Sequence, residues 1–143
     1  MLNELSQRCS VIEECYEFML AYAGQGLPGE EGGGAQIRDY LSRAVSALSG
    51  LGDVYAAAVK HESLAPAGPY AAFQAVLERD ARDSLAAVEL VLAQRVIGSQ
   101  LIDNLNASIH LRALLTDLFL IDEILKVNRT EENLAEEKPA GAS

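Results

Sequence analysis

The stretch from Ser99 to Val127 reads SQLIDNLNASIHLRALLTDLFLIDEILKV. Leu101, Ile102, Leu105, Ile109, Leu111, Leu114, Leu115, Leu118, Phe119, Leu120, Ile121, Ile124 and Leu125 follow one another in it at helical steps, with no proline or glycine between them. A run of that kind predicts a helix, and a helix apolar nearly all the way round has to be covered on several sides. A chain this short cannot enclose one of its own helices. The excess apolar surface therefore predicts a homodimer, with Leu101, Leu105, Ile109, Leu115 and Phe119 as contact residues.

A polar line runs through the same stretch. At ~100° per residue, Ser99, Asp103, Asn106, His110 and Asp117 fall in one narrow sector, and the first four are spaced to touch in sequence. Asp117 lies two turns, ~10.5 Å, beyond His110. Buried polar groups cost several kcal/mol unless paired. The line is expected either as a hydrogen-bonded network that fixes helix register or as a site for a small ligand or ion, with His110 lending sensitivity to pH near neutrality.

Upstream, Leu5, Cys9, Ile12, Tyr16, Met19 and Ala23 recur at three- and four-residue steps and predict a first helix over residues 3–24. Glycine and proline crowd residues 24–34 and end it. Ile37, Leu41, Ala44, Leu48, Leu51, Tyr55 and Val59 predict a second helix over 35–62, in which Gly50 and Gly52 cost propensity and allow a neighbouring helix to come close. Residues 63–69 form the next break. From Tyr70 to Asn128 there is no proline and one glycine, Gly98. Two structures fit: a third and a fourth helix that turn at Gly98-Ser99, or one long kinked helix of ~90 Å. The first makes an all-α, four-helix up-and-down bundle, and the second buries its length only against another chain. The bundle domain is expected over residues 1–129, and residues 130–143, with four Glu and one Lys, as a disordered acidic tail.

The chain has 143 residues, half of them hydrophobic, and 21 acidic against 11 basic residues give a net charge of -10. That length suits one domain, and that charge repels phosphate, so nucleic acid and anionic membrane are excluded as expected partners. No segment reaches the ~20 apolar residues of a membrane span, and Met1-Leu2-Asn3-Glu4-Leu5 lacks the basic and apolar regions of a signal peptide, so a cytoplasmic location is expected. Cys9 and Cys15 read as buried small hydrophobes rather than a disulfide.

Chemical motifs are sparse. Residues 24–29, Gly-Gln-Gly-Leu-Pro-Gly, spell the dinucleotide fingerprint but follow a helix instead of a strand and precede Glu30-Glu31. Ala58 and Ala107 stand where a di-iron bundle needs Glu before His61 and His110, and no paired-cysteine or His-Glu zinc motif occurs. No metal and no cofactor is expected, and no nucleophile turn of the G-x-S-x-G type is present. The alternating charges of residues 78–83 read as a solvated face. Glu14-Cys15-Tyr16-Glu17, together with Leu51-Gly52-Asp53, resembles the paired acidic motifs of the all-helical nucleotide pyrophosphohydrolases. That resemblance implies Mg²⁺ held between two helices around a triphosphate. The chain departs from the pattern upstream of Asp53, where Ser49 and Gly50 replace the expected acid.

The leading expectation is a non-enzymatic interaction module, adaptor, chaperone-like or regulatory, that self-associates through its C-terminal apolar helix and binds a protein partner. The alternative is a small-ligand or metal-binding bundle, including an enzyme such as a Mg-dependent nucleotide pyrophosphohydrolase.

Overall fold

A computed structural model describes residues 2–26 and 31–137, apart from the side chains of 31–34, 129–133 and 135–137. It contains six helices and, among the described residues, no strand: α1 (Leu2–Gly24), α2 (Glu31–Leu48), α3 (Leu51–His61), α4 (Ala67–Leu92), α5 (Ser99–Ala107) and α6 (Ile109–Glu137). The first helix forms where the spacing places it, burying Leu5, Cys9, Ile12, Cys15, Met19 and Tyr22 along one face. Both cysteines are buried and unpaired. The fourth likewise buries Leu77, Ala81, Ser84, Val88 and Val91 at three- and four-residue steps.

The second expected helix is broken in two. Gly50 adopts a left-handed conformation, φ 72°, which glycine takes without strain, and this ends α2 and starts α3. Ser49 closes the end of α2 by bonding the Val45 carbonyl through both its N–H and its hydroxyl, and the Gly50 carbonyl accepts from Asp53 and Val54. The path is not diverted. Arg38 meets the end of α4 at Leu92, Gly52 meets Glu78, and Tyr55 meets Phe73, so α2 and α3 together run antiparallel along α4. Gly52 does permit the close approach expected of it: a Cβ there would lie 3.0 Å from the Glu78 Cβ.

The long-helix alternative for residues 70–128 is ruled out by a loop at 93–98 between α4 and α5. The Arg38 guanidinium donates to the carbonyls of Leu92 at 3.1 Å, Gln94 at 2.5 Å and Arg95 at 2.8 Å, fixing this exit from α4. Ile97 plugs the core, and its carbonyl accepts from the buried Tyr22 hydroxyl at 2.5 Å.

The expected helix over 99–127 is also broken, at Ser108. Its ψ of 140° is extended, and its hydroxyl accepts from the Leu111 N–H at 3.3 Å, so Ser108 is the N-cap of α6. Ser84 Oγ donates to the His110 carbonyl and Asn128 Nδ2 to the Tyr70 hydroxyl, which sets α6 antiparallel to α4. The α1 helix packs on α2, α3, α5 and α6, and α4 packs on the same four. Helix α6 includes the start of the segment read as a tail, while residues 138–143 lie outside the described residues, as do 27–30 of the glycine-rich fingerprint.

Candidate functional site

The break at Ser108 decides the fate of the polar line. Five residues share a sector only on a continuous helix, and an extended residue resets the phase. Ser99, Asp103 and Asn106 stay together on α5, and His110 and Asp117 fall on α6. Ser99 is buried, and its Oγ donates to the Tyr22 carbonyl at 3.0 Å, tying the start of α5 to the end of α1. Asp103 is exposed and borders a surface depression with Ser99, Ala23, Gly26 and Gln100. Asn106 is buried, with both amide atoms lacking a hydrogen-bond partner among the described residues. His110 is exposed, and Ser84 engages only its backbone carbonyl. Ser99 and Asp103 share that depression, whereas His110 and Asp117 lie beyond the break at Ser108.

Asp117, which its spacing left out of reach of His110, meets a group on another helix. It is buried on α6 against Asp80 of α4, and its Oδ2 makes no hydrogen bond. Burial, the hydrogen bond to Asp80 and the charge of Asp80 together push its carboxyl up to about 7. Asp117 therefore holds a proton through mildly acidic pH. The alternating charge of residues 78–83, read as a solvated face, had hidden Asp80.

The residues expected at a subunit contact divide as well. Leu105 and Leu115 are 5% exposed, spent on the chain's own core, and Leu101 is half-buried. Ile109 and Phe119 remain open, at 75% and 58% exposure. The larger open set lies further along α6, where Leu120, Ile124, Val127 and Leu134 are all exposed. At ~100° per residue these four and Ile109 share a sector about 80° wide, running almost the whole helix.

Beside that stripe opens an apolar cleft of about 440 Å³, floored by Leu5, Tyr55, Phe73 and Ile121 and rimmed by Leu120 and Ile124. Its origin is a mismatch of lengths. Helix α1 runs antiparallel to α2, with Arg8 reaching the carbonyls of Ala47 and Ser49. On that register α1 starts opposite the first turn of α3, so α3 overhangs it by ~10 Å. Beyond Leu5 the cleft is lined, among the described residues, by α3, α4, α6 and the α3–α4 connection at Leu64 and Pro66. The polar atoms of the wall are already engaged: the Tyr55 hydroxyl donates to the Tyr70 carbonyl at 2.8 Å, and the Tyr70 hydroxyl accepts from Asn128 at 3.2 Å. Burial pushes the Tyr55 phenol up from its ordinary value.

Among the described residues no group of three or more His, Cys, Asp or Glu side chains could hold a metal ion. Glu14 and Glu17 lie on an exposed face of α1, while the antiparallel register puts Asp53 opposite the start of that helix, ~15 Å away along it. The two acidic segments that resemble the pyrophosphohydrolase pattern are not brought together. Cys9 and Cys15 are poor nucleophiles, because burial pushes both thiols up to about 12. No helix among the described residues is long and apolar enough to cross a membrane. The chain matches no protein-family model, no curated protein and no solved structure.

Proposed function

We propose that this chain is a cytoplasmic, self-associating interaction module: an up-and-down bundle of four rods, α1, α2–α3, α4 and α5–α6, that forms a homodimer and engages a protein partner through α6. The observation that carries this reading is the apolar stripe Ile109, Leu120, Ile124, Val127 and Leu134, left open along one helix and continuous with the rim of the cleft. Exposed apolar side chains are ordinary when scattered, but a contiguous patch on one element marks a contact surface. The paired antiparallel registers of α2–α3 with α4 and of α4 with α6 support the four-rod topology. Two buried free cysteines suit a reducing compartment.

The test is sedimentation velocity on the full chain across about 1 μM to about 500 μM, a range set by the micromolar affinities of small interfaces. A concentration-dependent dimer is expected, and Leu120→Glu with Val127→Glu abolishes it without loss of helical circular dichroism. A wild-type monomer throughout that range refutes self-association.

The cleft supports a second reading, a site for a small apolar ligand, since its volume lies within the ~300–1,000 Å³ of ligand pockets. Native mass spectrometry of gently purified protein, without chelator, separates the two. Bare subunits in even number support the interaction module, and a reproducible added mass supports the ligand site.

A further inference from the structure

The corner of the bundle where α3 turns into α4 carries two depressions that share a wall. On the inner side lies the apolar cleft of about 440 Å³, and on the outer side a second depression of about 500 Å³, with Tyr55, Val59, Leu64 and Tyr70 bordering both. The two surfaces differ in chemistry. No charged side chain lines the cleft, and the hydroxyls of Tyr55 and Tyr70 are already in hydrogen bonds, so its occupant meets hydrocarbon and finds no polar group in need of a partner. The outer depression is bordered by Lys60, Ser63 and Gln74, and no acidic side chain lines it.

On a chain with 21 acidic against 11 basic residues, this corner presents an ammonium and no carboxylate along its lining. Lys60 is exposed, and its ammonium has no ion-pair or hydrogen-bond partner among the described residues. The neighbouring acid, Glu62, lies 3.6 Å from the His61 ring instead. A lysine stem runs along apolar surface while its head stays in water, and Lys60 follows Val59, which lines the cleft. Leu64, in the α3–α4 connection, borders both depressions, so a hydrocarbon chain leaving the cleft across Leu64 enters the depression of Lys60.

We infer that this corner binds a single-chain fatty acid, its hydrocarbon in the cleft and its carboxylate on the Lys60 ammonium, with Ser63 and Gln74 as further donors. This rests on the reading of the cleft as an apolar-ligand site and names the ligand. The overhang of α3 beyond α1, ~10 Å, sets the depth available and suits a chain of medium length. A cationic amphiphile would bring like charge to Lys60, and a charge of either sign inside the cleft would lose its water for nothing in return. Burial of the chain supplies most of the affinity, because an exposed ammonium–carboxylate pair adds little. Lys60 selects the head group.

The experiment titrates the full chain, labelled at its isoleucine and leucine methyl groups for NMR, with decanoate, decanol and decyltrimethylammonium at neutral pH, each below its solubility or micelle threshold. Decanoate is expected to shift the methyls of Leu5, Ile121 and Ile124, which line the cleft. Lys60→Gln, at an exposed position, is expected to weaken decanoate about 3-fold at low salt and to leave decanol unchanged, with the decanoate difference fading at about 0.5 M NaCl. Decanoate bound equally by wild type and Lys60→Gln, or less tightly than the ammonium, overturns the inference; decanol shifting the cleft methyls in that case leaves the apolar-ligand reading standing. Shifts confined to Ile109 and Leu134 would place the ligand along the α6 stripe and overturn it too. No shift with any of the three probes would remove the apolar-ligand reading itself.

Discussion

The carboxyl pair Asp80–Asp117 makes the folded chain depend on pH in a direction its acidic composition alone does not isolate. The Asp117 carboxyl is raised to about 7 in the folded chain and returns to about 3.9 on unfolding. The folded form therefore binds a proton that the unfolded form has released over this window. Stability from this group is fully present below about pH 4, falls as pH climbs towards 7, and is flat above. Three units at ~1.4 kcal/mol each set an upper limit of ~4 kcal/mol. Asp80 is only half-buried, and water reaches the pair from its side, so the effect at pH 8 is about 1–2 kcal/mol. The perturbation is Asp117→Asn, which keeps the shape and donates to the Asp80 carboxylate without titrating. Urea unfolding followed by circular dichroism at pH 4.5, 6 and 8 reads the difference between variant and wild type. At an m-value of ~1–3 kcal/mol/M the variant midpoint should rise by roughly 0.5–1 M at pH 8, with little gain at pH 4.5. Subtraction matters, because the Glu13 carboxyl is also raised, by burial and by Asp122 and Glu17, and lowers wild-type stability in the same direction. An Asp117→Asn variant that tracks the wild type at all three pH values refutes the reasoning.

Asn106→Leu removes two buried amide atoms that lack partners and should stabilise the fold by about 1–3 kcal/mol in thermal or urea unfolding; a loss of stability would mean that the amide holds a bound partner. Cys9 and Cys15, with thiols raised to about 12, should resist an aromatic disulfide reagent at pH 8 in the native chain and react promptly in urea, so rapid native labelling would contradict their burial.

Helix existence was legible because the apolar spacing of each rod survives in the structure: Leu5, Cys9, Ile12 and Met19 on α1, and Leu77, Ala81, Ser84 and Val88 on α4, are buried as their periodicity requires. The breaks were less legible, for two different reasons. Gly50 is visible in the sequence, but only its left-handed φ turns a propensity cost into a helix end. Ser108 carries no such mark, because it caps α6 with its own hydroxyl and lacks the Glu or Gln three residues on that completes a capping box. Missing that one residue misplaced His110 and Asp117, which were projected onto a helix that had already stopped, while Ser99, Asp103 and Asn106 precede the break. Asp80 was hidden because a charge alternation looks the same on a solvated face as at the boundary of a helix seam. Only the register of α4 against α6 separates them.

The cleft and the stripe share a cause that lies between these levels. Helix α1 has 23 residues, while α2, its two linking residues and α3 span positions 31–61. No local pattern announces a cleft, yet rods of unequal length cannot close a common core at both ends. The side chains at the open end, Tyr55, Phe73, Leu120 and Ile124, keep the apolar character of core residues although α1 does not extend over them. Keeping Leu120 and Ile124 apolar while half their surface faces solvent is a cost in solubility that folding of the single chain does not require. Apolar identity without intramolecular cover, continued along α6 to Leu134, is the physical reason to look for that cover in a second molecule.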